Sequence, residues 1–101
     1  MLTFEKVLEA FDDYLRQDPL YEVVMTSHGY TLMAWEPRKG QWYTAEIMDT
    51  PENLLNALLD KYAEYLEELL TDSQRELTDE EQRDIDKKCS SLKAQCQNGN
   101  P

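Results

Sequence analysis

The spacing of apolar residues changes period twice along this chain, and those changes restrict the folds open to it. Phe4, Val7, Leu8, Phe11, Tyr14 and Leu15 recur at the three- and four-residue steps of one helical face. Thr3 precedes them as an N-cap, and Pro19 disfavours helical geometry at Asp18. The pattern predicts a helix over residues 4–17. From residue 20 to 48 the step becomes two. "LYEVVMT", "YTLMAWE" and "QWYTAEIM" are rich in β-branched and aromatic residues, and turn residues separate them. His28-Gly29 reads as a two-residue turn. "PRKG" reads as a four-residue hairpin loop, with Pro37 early and Gly40 closing it in the left-handed conformation.

Helical spacing then returns. Thr50 caps, Pro51 takes the first helical position, and Glu52 complements the positive end of the dipole. Leu54, Leu55, Leu58, Leu59, Tyr62, Tyr65, Leu66, Leu69 and Leu70 form a wide apolar stripe, which predicts a second helix to about residue 70. Thr78 and Glu81 fit a capping box ahead of a third helix that runs to about residue 96. Its apolar seam is narrow: Ile85, Cys89, Leu92 and Cys96. The seam is too short for a stable coiled coil by itself. The final "QNGNP", residues 97–101, reads as a disordered tail.

A chain of 101 residues supports one modest core. The expectation is a single α+β domain over residues 1–96, in the order α-β-β-β-α-α. A three-stranded antiparallel meander packs two helices on one face, and residues 72–96 append an acidic loop and helix. Alternation places Tyr21, Val23, Met25, Tyr30, Leu32, Ala34, Tyr43, Ala45 and Ile47 toward the helices. The opposite face collects Glu22, Val24, Thr26, Thr31, Met33, Trp35, Trp42, Thr44, Glu46 and Met48.

Both tryptophans fall on that second face, in "WEPRKGQW". If Glu36 and Gln41 close the loop, Trp35 and Trp42 are directly opposite and their rings touch, which helps to pin the register. With Val24, Met33 and Met48 they also make an apolar strip of the kind that marks a contact surface. The third helix, a second copy of the chain or a different partner are the candidate covers.

The inventory of reactive residues argues against catalysis. His28 is the lone histidine and sits beside a turn glycine, so no serine or cysteine has a triad. Gly29, Gly40 and Gly99 are isolated, which leaves neither a P-loop nor a dinucleotide fingerprint. Two cysteines and one histidine, far apart, make a poor zinc site. We therefore expect no catalytic residues, no metal and no cofactor. Seven residues of helix separate Cys89 from Cys96 by about 10.5 Å, too far for a bond between them. Reduced thiols, the absence of a signal-peptide pattern and the lack of a membrane-spanning run point to the cytoplasm.

Charge carries the strongest functional signal. The net charge is −11, which disfavours direct nucleic-acid or membrane binding and favours a basic protein partner. Ten acids fall between Glu64 and Asp86, against Arg75 and Arg83 alone. Glu64, Glu67, Glu68, Asp72, Glu76, Asp79, Glu80, Glu81 and Asp84 are the candidate docking residues, together with Met33, Trp35 and Trp42. Solvated helix surface is the competing account of the acids.

The "TSHGY" turn, the "WEP" and "W" hairpin and the "TPE…LLDKYAEYLE" helix resemble those of small uncharacterised acidic proteins of bacterial conjugative elements and prophages. The resemblance covers roughly residues 3–96. By size, charge and genomic company it implies an inhibitor of the anti-CRISPR or anti-restriction type, a mimic of DNA charge. It carries over no site residues. The alternative expectation is a homodimeric structural or assembly protein of a mobile element.

Overall fold

A computed structural model describes residues 1–98, apart from the side chains of Thr44, Ala45 and Asn98. It is mixed helix and sheet, and it forms a flat molecule of 41 × 40 × 18 Å. The expected first helix is two: α1, Phe4–Ala10, and α2, Asp12–Gln17. The break falls at Phe11, where φ −96° and ψ 7° leave the helical region. The Thr3 hydroxyl caps α1 by accepting from the Lys6 N–H at 3.1 Å. Phe11 is fully buried, so the apolar face continues through the break.

Three antiparallel strands follow in sequence order: β1, Tyr21–Thr26; β2, Gly29–Glu36; and β3, Gln41–Met48. The first turn is Ser27-His28, one residue earlier than expected, with Thr26 opposite Gly29. Gly29 follows the turn at φ +112°, a conformation that favours glycine. The register shifts by two residues, so Val23 pairs with Leu32 instead of Ala34, and the even shift leaves each β1 and β2 side chain on its expected face. Glu36 and Gln41 close the second loop, and Gly40 takes φ +63°.

The strand β3 departs from the expected alternation. Trp35 pairs with Trp42, but Ala34 pairs with Thr44, which leaves Tyr43 as an extra residue in a β-bulge. Beyond the bulge Glu46, Ile47 and Met48 turn to the opposite faces from those expected. Met48 is buried in the core and Glu46 shares the helix side with Leu32. Ile47, expected inside, pairs with Thr31 and is 55 % exposed. Tyr43 and Met25, also expected inside, are exposed.

The helix α3 spans Pro51–Thr71, with the Thr50 hydroxyl accepting from the Asn53 N–H at 3.1 Å. Leu54, Leu55 and Leu58 are buried against Val7, Phe11, Tyr14, Leu32 and Met48. The stripe ends sooner than expected, because Leu69 and Leu70 are exposed. The last helix, α4, covers Asp79–Asn98 and packs on α3 and α1. Residues 97 and 98, expected in a disordered tail, belong to α4, and 99–101 lie outside the described residues. No helix among the described residues is long and apolar enough to cross a membrane.

Candidate protein-interaction surfaces

The narrow seam of α4 decides what becomes of the tryptophan face. Ile85 and Cys96 are buried and Leu92 half-buried, and Cys96 and Leu92 join the core formed by α1 and α3. That helix therefore does not cover the far side of the sheet. Trp35 and Trp42 lie there, with ring centroids 5.2 Å apart and planes at 70°. The edge-to-face arrangement is one that aromatic quadrupoles favour. Met33 and Trp35 are half-buried and Trp42 is 38 % exposed. The bulge adds Ile47 to this face and removes Glu46 and Met48 from it.

The acidic residues divide into two groups by their place on a helix. Glu64, Glu67 and Glu68 are exposed along the C-terminal half of α3. Asp72 follows as its C-cap, left-handed at φ 52° and ψ 33°. Exposed Glu76 lies in the connection, and exposed Asp79, Glu80 and Asp84 occupy the first turns of α4. The second group sits where the helix dipole welcomes negative charge. The first sits at the opposite pole, where it does not.

Glu81 is engaged within the chain. Its carboxylate accepts from both terminal nitrogens of Arg75, at 2.7 and 2.8 Å, and from the Thr78 N–H at 3.0 Å. The Glu81 N–H donates in turn to the Thr78 hydroxyl, which completes the capping box. The Arg75 guanidinium, then the Thr78 N–H, hold the Glu81 carboxyl down at about 2. The Glu68 carboxylate similarly accepts from the Ser73 hydroxyl at 2.7 Å.

A hollow between β3 and α3 is lined by Tyr21, Leu32, Ala34, Tyr43, Glu46 and Lys61. The Lys61 ammonium lies 5.1 Å from the Tyr21 ring centroid, a cation–π contact. Burial pushes the Tyr21 hydroxyl up, and Lys61 offsets part of that rise. Sequence reasoning passed over Lys61 and set Glu46 on the opposite face, and the bulge is what brings Glu46 here beside Leu32.

His28 is exposed in its turn, with its N–H donating to the Thr26 hydroxyl. Burial raises both thiols, and Asp86 and Asp60 add to the effect at Cys89. Among the described residues, no three His, Cys, Asp or Glu side chains group as a metal site. The comparison with known proteins finds no matching family model, curated protein or solved structure.

Proposed function

We propose that this chain is a non-catalytic binding protein whose acidic surface docks on a basic protein, one that processes nucleic acid, and inhibits it by occupying its basic groove. The observation that carries this reading is the position of Glu64, Glu67, Glu68 and Asp72. Glu67, Glu68 and Asp72 crowd the negative end of the α3 dipole, Glu64 continues their row one turn further in, and the last turn has no basic residue. Placing acids there costs stability, by about 0.3–1 kcal/mol each near the terminus. Solubility alone is met by acids placed anywhere on the surface. A locally unfavourable placement is the mark of a functional surface. The exposed acids of α4 extend the same charge across the connection. The resemblance to acidic proteins of mobile elements points the same way and suggests the anti-CRISPR or anti-restriction type of inhibition, by mimicry of DNA charge.

The test is capture of the partner from the host, followed by titration across about 0.05 to 0.5 M salt. Affinity is expected to fall steeply with salt and to be lost when Glu64, Glu67, Glu68 and Asp72 become their amides. A partner that binds independently of salt, or binds the amide variant equally well, overturns the proposal. A homodimeric assembly role is the second reading, favoured by the uncovered tryptophan face.

A further inference from the structure

The bulge at Tyr43 decides which side of β3 meets water. In an unbroken ladder Glu46 would join the tryptophans and Ile47 would turn to the helices. The extra residue reverses this. Ile47 lands on the open face at 55 % exposure, and the Glu46 carboxylate leaves that face. For the monomer's core the exchange is close to even, since Met48 is buried where Ile47 would have been. What the exchange achieves is a face almost free of charge. Among the described strand side chains there, Glu22 on β1 is the one ionised group, beside Val24, Met33, Trp35, Trp42 and Ile47, and Arg16 and Asp18 of the α2 end share a hollow with Glu22 and Trp42 at the edge.

We propose that this face pairs with the same face of a second copy, giving a two-fold sandwich with helices outside and two sheets within. Charge selects the occupant. Two copies at net −11 each repel, and a contact through the 64–86 acids sets carboxylate against carboxylate. The open sheet face is where like-charged copies meet without that cost. A basic partner finds its complement on α3 and α4 and little to pair with here. Shape agrees, because two identically twisted sheets pack face to face at about 10 Å. Eight-residue strands in a three-stranded sheet give a footprint of about 27 × 14 Å. With side-chain relief included, that lies at or below the small end of specific interfaces, roughly 1,200 Å² in total. The dimer is therefore weak, with dissociation in roughly the micromolar range or above.

This pairing does not depend on the acidic-surface reading, and salt separates the two. Screening relieves repulsion between copies, so dimerisation strengthens as salt rises, whereas docking on a basic partner weakens. Sedimentation equilibrium of the full chain from about 1 μM to 1 mM, at low and high salt, reads the first directly. The expected result is a concentration-dependent doubling of mass that salt promotes. Ile47→Glu and Trp42→Thr are each expected to raise the dissociation constant at least about tenfold, as loss of a central contact does. Glu67→Gln, away from this face, is expected not to raise it. Circular dichroism checks each fold, and Trp42→Thr carries the test if Ile47→Glu does not fold. A monomer under every condition, a dimer that weakens with salt, or one that a folded face variant leaves unchanged overturns the proposal.

Discussion

The Tyr14 hydroxyl donates to the Asp18 carboxylate at 2.7 Å, and both residues are buried. The other Asp18 oxygen accepts from the Leu20 N–H at 3.0 Å. Together these bonds tie the end of α2 to the start of β1. Burial first, then Asp18, raises the Tyr14 pKa far above its usual value, so the phenol stays a donor at any working pH. Tyr14→Phe keeps the ring and leaves a buried carboxylate oxygen without its donor. We expect a loss of about 1–3 kcal/mol by denaturant titration.

Burial separates the leucines of α3 into two energetic classes. Leu58 is fully buried and Leu69 is 64 % exposed. Leu58→Ala is expected to cost about 2–5 kcal/mol. Leu69→Ala is expected to stay within about 0.5 kcal/mol, as exposed substitutions do. Equal costs at the two sites would contradict the packing described.

The Arg75–Glu81–Thr78 cluster gives α4 an acid-sensitive start. The Glu81 carboxyl titrates at about 2 in the folded chain, below the roughly 4.3 of an unfolded glutamate. Its contribution is therefore complete above the unfolded value and lost as pH falls through the folded one. Wild type is expected to exceed Glu81→Gln in stability by a constant margin above about pH 5, closing by about pH 2. Thermal unfolding across that range reads the margin.

Deleting Tyr43 tests the bulge. The pairs on either side, Ala34 with Thr44 and Trp35 with Trp42, become neighbours in a regular ladder when the extra residue goes. Because Tyr43 is 58 % exposed, we expect the variant to stay folded, with stability changed by less than about 1 kcal/mol. Loss of cooperative unfolding would mean that the bulge is structurally required.

The thiols are expected to be unreactive. Cys96 is fully buried and Cys89 is half-buried, and burial raises the pKa of both. The thiolate is the reactive form. Native protein at about pH 8 should modify slowly with a disulfide reagent, Cys89 before Cys96, and rapidly once unfolded. Cys89→Ser with Cys96→Ser tests whether either thiol is structurally needed. The burial of Cys96 also removes it as a partner for a disulfide between chains.

Periodicity located the elements well, because stripes on α3 and strands around "PRKG" extend over many residues. It missed what depends on one residue. The face of Phe11 continues across the α1–α2 break, so no apolar signal marks it. Tyr43 looks like any alternating strand residue, yet its insertion exchanged Ile47 for Met48 in the core. The tryptophan pair was legible because only the hairpin loop sets its register, on the near side of the bulge. Leu69 and Leu70 continue the spacing of Leu58 and Leu66, and spacing says nothing about where the facing elements end. The acids were countable from sequence, but Glu81 separates from the rest only when Arg75 folds onto it.

The contact between α1 and α4 joins segments from opposite ends of the described chain. Val7 and Cys96 are both fully buried in one core, some 90 residues apart in sequence. Closing a loop that long costs entropy before any contact repays it. The β-hairpins and the α2–β1 corner make their contacts locally and escape that cost. Folding is therefore expected to be paced by the docking of α4, with the meander formed earlier. Of the residues in the first half of α4, Ile85 alone is buried, so amide hydrogens there are expected to exchange through partial opening well before those of β2.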